Sequence, residues 1–190
     1  MKKFELTAEF VTNVFGTKLF RIKALVAFGD VEKGELGGFI EKEGNLSHDG
    51  NAWVSGNARV SGNAWVYGDA RVSGNALVSG NALVYGNARV YGNAWVSGDA
   101  RVSGNARVSG NADYAVVTGF GRYFRATTFF RCKDKILRVQ CGCFYGDLAQ
   151  FREIVKKTHD DSKYAKEYLA IADLMELHFS DEEEKQEADE

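Results

Sequence analysis

The 190-residue sequence contains no proline, only three cysteines and only three histidines, and its formal net charge is −2. An average chain carries about 5% proline and about 7% glycine. Here proline is missing outright while glycine, at 21 residues, is in excess. The absence of proline excludes collagen-like and proline-rich disordered chains. A low, odd cysteine count fits a reducing compartment better than a disulfide scaffold. No run of 18 apolar residues occurs, which excludes a transmembrane helix. The first residues, Met1-Lys2-Lys3-Phe4-Glu5, lack the apolar core of a signal peptide, because Glu5, Glu9 and Asn13 interrupt it. These absences point to a cytoplasmic protein with no membrane partner. A net charge near zero gives no global argument for nucleic acid and weighs against it as a partner.

The middle of the chain is more restricted still. Between Asn51 and Ala112 there is no His, Glu, Lys or Cys, and the only acids are Asp69 and Asp99. What fills this stretch is a six-residue repeat of the form Asn-Ala-x-Val-x-Gly. Valine recurs at 54, 60, 66, 72, 78, 84, 90, 96, 102 and 108, and alanine at every sixth position from 52 to 112. Thirteen glycines, from 38 to 110, hold one register and are expected as corner residues; Ile40 and Leu46 extend the alanine register backwards. Alanine and valine lie two apart, so they share one side of an extended segment while the x residues face the other. Gly-Asn or Gly-Asp tolerates positive φ and turns the chain. Repetition gives a coil with flat sides. A helix would need a period of 3.6, and an up-and-down sheet would need longer strands.

Val-x-Gly-Asn-Ala-x resembles the hexapeptide pattern of left-handed parallel β-helix proteins. The lead-in Gly37-Gly38-Phe39-Ile40-Glu41 and Asn45-Leu46-Ser47 resembles uncharacterised bacterial and phage hexapeptide-repeat proteins often labelled acyltransferase-like. The resemblance implies an all-β-dominated fold, a left-handed parallel β-helix with three sides and 18 residues per turn. Residues 38 to 112 then make about four turns, stacked about 4.8 Å apart. It also implies that such a chain is frequently a trimer.

Three sides sort the outward residues into columns. Side one carries Trp53, Arg71, Arg89 and Arg107; side two Arg59, Leu77, Trp95 and Asp113; side three Trp65, Leu83 and Arg101. On side three Trp65, Tyr67, Leu83 and Tyr85 form an apolar block, expected either as a subunit or partner interface or as a surface covered by the C-terminal segment. On side one Arg71, Arg89 and Arg107 stack over one another, and guanidinium forks suit acidic groups and phosphates. They are the candidate site for an acidic protein or anionic ligand, with solvated arginines paired to nearby carboxylates as the alternative.

The flanks read as an N-terminal β cap (residues 1–37), the β-helix (38–113), a small C-terminal α+β unit (114–180) and an acidic, disordered tail (181–190). Strands are expected over 4–10 and 18–28, and a hairpin over 122–132 and 136–144. Two helices follow, N-capped by Asp147 and Ser162. Cys132, Cys141, Cys143 and His159 match no strong zinc spacing, so no metal site is expected and the cysteines read as small hydrophobes.

In the transferases that the repeat resembles, a histidine in or near the coils is the general base and acyl-CoA lies along the β-helix. The regular coils here hold no such residue, and His48 is the one weak catalytic candidate. The residues therefore favour a non-catalytic binding or assembly module, trimeric and of bacterial or phage type, in one version an inhibitor or sequestering protein. No cofactor is expected on this reading. The rivals are an O- or N-acyltransferase using acetyl-CoA and a structural protein stacking end to end.

Overall fold

Apolar side chains two apart, repeated every six residues, leave the chain only short extended runs between corners. The computed structural model describes residues 1–180, so the expected disorder of 181–190 lies outside the described residues. After β1 (Phe4–Thr12), β2 (Lys18–Ala24) and β3 (Leu36–Ile40) come ten two-residue strands, one per repeat. These are β4 (Trp53–Val54), β5 (Arg59–Val60), β6 (Trp65–Val66), β7 (Arg71–Val72), β8 (Leu77–Val78), β9 (Leu83–Val84), β10 (Arg89–Val90), β11 (Trp95–Val96), β12 (Arg101–Val102) and β13 (Arg107–Val108). They pair in parallel at a separation of 18, as in Trp53↔Arg71↔Arg89↔Arg107. The three sheets β4-β7-β10-β13, β3-β5-β8-β11 and β6-β9-β12 are the three expected sides. The architecture is a β-solenoid of about four turns.

Each turn donates its backbone N–H groups to the next. Arg71 N–H reaches Ala88 O and Ser73 N–H reaches Val90 O, both at 2.9 Å. Proline has no N–H and would break this ladder. The repeat valines from Val54 to Val108 and alanines from Ala52 to Ala106 fill the bore and are at most 1% exposed. At the corners the amides stack in ladders, as Asn57 Nδ2 donates to Asn75 Oδ1 at 3.4 Å and Asn75 Nδ2 to Asn93 Oδ1 at 3.3 Å. Asp69 and Asp99 occupy ladder positions as acceptors, from Asn51 Nδ2 and Asn81 Nδ2.

The corner expectation holds for ten of the thirteen glycines in register, which have φ between +60° and +70°. At Gly80 an added Cβ would also stand 2.9 Å from Gly98 N. Gly38, Gly44 and Gly110 are not corners of this kind: the frame slips in the lead-in, and extended Gly110, at φ −149°, starts the 3-10 turn Asn111–Asp113 that ends the repeat. Ile40 pairs with Val60 and Leu46 bridges to Val66, both 20 residues apart. Ile40 and Leu46 thus take valine slots, not the alanine slots that their register suggested. Two extra residues lie between Leu46 and Val54, and His48 falls in this excess, outside the valine column. Asp113 leaves the side-two column and closes the last turn, its carboxylate accepting from Ser109 N–H, Ser109 Oγ–H and Gly110 N–H.

Both ends of the bore are covered. β1, β2 and β3 form an antiparallel meander continuous with side two, and Phe4, Ile22 and Ala24 join the solenoid core. β2 ends at Ala24, short of the expected residue 28, where the chain turns through Phe28 and Val31 to cover Trp53. The C-terminal unit holds four antiparallel strands rather than one hairpin: β14 (Tyr114–Val117), β15 (Thr127–Arg131), β16 (Leu137–Cys141) and β17 (Phe144–Asp147). Gly142, at φ +58°, breaks the expected strand 136–144 into β16 and β17. Residues 122–126 are a loop, with Phe124 at φ +53°. On β15, neighbouring side chains face opposite ways. Phe130 plugs the solenoid core and Phe129 enters a second core under α1 (Leu148–His159) and α2 (Lys163–Phe179). Both expected N-caps form, with Asp147 accepting from Gln150 N–H and Ser162 from Ala165 N–H. Among the described residues no helix is long and apolar enough to cross a membrane.

Candidate binding groove on the arginine face

The 18-residue pairing sets Arg71, Arg89 and Arg107 one above another on β7, β10 and β13. Beside them runs the corner column Asn51, Asp69, Asn87 and Asn105. Together they line a groove of about 520 Å³ that the two caps extend, with Gly29 and Asp30 at the N-terminal end and Lys133 at the C-terminal end. Lys133 is fixed there by its own backbone, whose N–H donates to Asn105 O at 3.1 Å.

Like charges at strand spacing repel, and the groove relieves this at its ends only. Arg71 pairs with Asp30. Its guanidinium is partly buried, and that burial, with Arg89 next to it, lowers its pKa from the usual arginine range. Arg107 folds onto main-chain carbonyls, its Nη1 donating to Ala106 O at 2.9 Å and Asn87 O at 3.2 Å. Arg89, in the middle, is exposed and has no ion pair among the described residues. Four cations therefore face Asp30 and Asp69, and the central one keeps its donors open. The alternative, arginines paired to nearby carboxylates, is met at Arg71 alone. The contribution of Lys133 was not visible in the sequence, because it depends on where the C-terminal cap docks.

Side three divides between two fates. Trp65 stacks on Tyr67, with ring centroids 4.2 Å apart, and Tyr67 on Tyr85 at 4.9 Å. The C-terminal sheet takes the far end of this ladder: Tyr85 Oη–H donates to Gln140 Oε1 at 3.2 Å, and Ser103 Oγ–H reaches the same oxygen. Leu83 lines a hollow beneath loop residues 123–126. Trp65 stays 42% exposed.

His48 lies at the entry of the first turn. Lys3 N–H donates to its Nδ1 at 3.1 Å, so Nε2 carries the proton and donates to Glu43 Oε1 at 2.8 Å. The ring also stacks on Phe4 at 4.3 Å. Both nitrogens are thus engaged, Nδ1 by the main chain just before β1 and Nε2 by Glu43 in the lead-in turn. The hydrogen bond from His48, followed by that from Lys2, holds the Glu43 carboxyl below its usual range. Cys141 pairs with Thr127 whereas Cys132 follows Arg131 at the other end of β15. The strand register itself keeps these two thiols apart. Burial raises the pKa of the Cys132 thiol.

Lys3 gives the N-terminal cap a pH dependence. Its Nζ donates to Ala52 O at 2.9 Å and Gly50 O at 3.2 Å, and burial, then Arg71, pushes its pKa down to about 8. Below pH 8 folded and unfolded chains both hold the proton, and the cost of burying the charge is complete. Between pH 8 and the ordinary lysine value of 10.5 only the unfolded chain holds it, so stability rises with pH across this window. Full recovery is worth about 3 kcal/mol. Lys3→Met is expected to lose this rise in urea titrations at pH 8 and pH 10; an unchanged rise contradicts the assignment.

Among known proteins, a family model described as the YdcK beta solenoid repeat matches residues 52–68, 70–85, 82–98 and 100–112. No curated protein matches the chain. The matched segments are the regular turns between the caps, and their similarity is to a solenoid repeat. Together with the parallel sheets, this makes the chain a β-solenoid repeat protein.

Proposed function

We propose that the protein is a non-catalytic binding module that holds an acidic protein segment along the arginine groove. The observation that carries this reading is Arg89, an exposed guanidinium without a counter-ion among the described residues, flanked by Arg71 and Arg107 and extended by Lys133. A guanidinium presents paired N–H donors to a carboxylate, and the solenoid fixes their spacing without cost at the moment of binding. The engagement of both His48 nitrogens supports the non-catalytic part. Saturable acetyl-CoA binding that is lost in His48→Ala would favour the acyltransferase instead.

The exposed Trp65 and its stack on Tyr67 support assembly of the module, as a trimer in this reading. The covered bore ends, with Phe4 at one and Phe130 at the other, speak against end-to-end stacking. Light scattering is expected to give a closed trimer; a monomer, or filaments, would overturn this part.

The binding reading is tested by titrating deca-glutamate into the full chain at low ionic strength. Replacing Arg71, Arg89 and Arg107 together by Gln is expected to weaken binding at least 100-fold, since hydrogen bonds to charged groups are worth about 1.5–3 kcal/mol each. Equal binding by the variant would sink the reading. A single-stranded oligonucleotide that binds where deca-glutamate does not would sink it as well.

A further inference from the structure

The chain carries its own acidic segment, which follows directly on the last described helix. Residues 181–190, Asp-Glu-Glu-Glu-Lys-Gln-Glu-Ala-Asp-Glu, hold seven acids and one lysine. Without them the chain of net charge −2 becomes net positive by four. The segment begins next to the end of α2, at Phe179 and Ser180. That end is tied down: Arg131 Nη2 donates to Phe179 O at 3.0 Å and its guanidinium lies 5.7 Å from the Phe179 ring centroid. Arg131 is two residues before Lys133, which forms the C-terminal end of the groove. From Arg107 to Arg71 is two turns, about 10 Å at strand spacing. Ten residues span up to about 33 Å when extended, about three times the length of the arginine column.

Taking the groove as the binding site, we propose that segment 181–190 of the same chain pairs with Arg89, Arg107 and Lys133 and competes with the acidic partner. Tethering this close gives an effective concentration in the millimolar range. A weakly binding acidic ligand is therefore excluded, and only one that outcompetes the segment gains the groove. The inference adds regulation to the proposed site and depends on that site being the one described.

The contact is read directly by zero-length carbodiimide cross-linking of the full chain, followed by peptide mass spectrometry. An amide between Lys133 Nζ and a carboxylate of 182–190 is expected to dominate, and to fall at least fivefold in Arg89→Gln with Arg107→Gln. Links spread evenly over Lys133, Lys157 and Lys166 would overturn the proposal, and so would links found only between isotopically distinct copies. In parallel, deca-glutamate is titrated into the full chain and into a chain ended after Ser180, which keeps both hydrophobic cores. The shorter chain is expected to bind at least tenfold more tightly. Equal binding by both chains without the Lys133 link overturns the tail contact and leaves the groove standing. The Lys133 link with no peptide binding by either chain overturns the groove as a partner site and leaves the tail contact standing.

Discussion

Phe130→Ala is expected to destabilise the protein by about 3–5 kcal/mol, the usual cost of emptying a buried phenylalanine site. Phe130 is fully buried and closes the C-terminal end of a bore otherwise lined by valine and alanine. Its removal leaves the last turn, with Val102 and Val108, facing a cavity that small neighbours cannot fill. Phe129→Ala is expected to cost a similar amount by a different route, because Phe129 packs edge-on to Phe151 at 6.1 Å in the helical core. Hydrogen exchange separates the two. Phe130→Ala should speed exchange first in the amides of β12 and β13, and Phe129→Ala first in α1 and α2. Loss of protection in the same amides for both variants would contradict the two-core description.

Reversing two charges in the groove is expected to remove binding while leaving the fold intact. Arg89→Glu with Arg107→Glu deletes two charge-assisted hydrogen bonds to the ligand and adds repulsion, for a loss of at least 1,000-fold toward deca-glutamate. The melting temperature should fall by no more than a few degrees: Arg107 gives up its hydrogen bonds to Ala106 O and Asn87 O and the two new carboxylates stand opposite each other, which the gain at position 89 offsets in part. Arg89 is exposed, Arg71 lies directly below it, and a glutamate there replaces a like-charge neighbour with an opposite one. The same reversal at Arg59 on side two and Arg101 on side three should change binding less than twofold. A matching loss at those positions would mean that overall charge, not the groove, sets affinity.

The solenoid was legible in the sequence because its geometry is written at a single period. Ala-x-Val fixes inside and outside, and Gly-Asn fixes the corners, so Arg71, Arg89 and Arg107 fall into one column before any coordinate is known. Where the period is imperfect the reading failed. Ile40 and Leu46 kept the six-residue spacing yet sit two residues out of frame, since strand pairing with Val60 and Val66 overrides sequence register. The helices were legible from Asp147, Ser162 and their apolar stripes. The four-stranded sheet was not, because β14 and β17 have only four residues each and their pairing is set by partners distant in sequence. The groove was half legible. Its arginines repeat at 18, but Asp30 and Lys133 come from the two caps, whose docking no local pattern encodes. The engagement of His48 was hidden for the same reason, since Lys3 is 45 residues away.

The most direct test of the arginine groove is the side-chain Nε–Hε spectrum of the arginines during titration with deca-glutamate that carries a nitroxide at its N-terminus. The groove predicts paramagnetic broadening at Arg71, Arg89 and Arg107, and sharp signals at Arg59, Arg122 and Arg152. Equal broadening across all of these arginines, or broadening that spares Arg89, would contradict it.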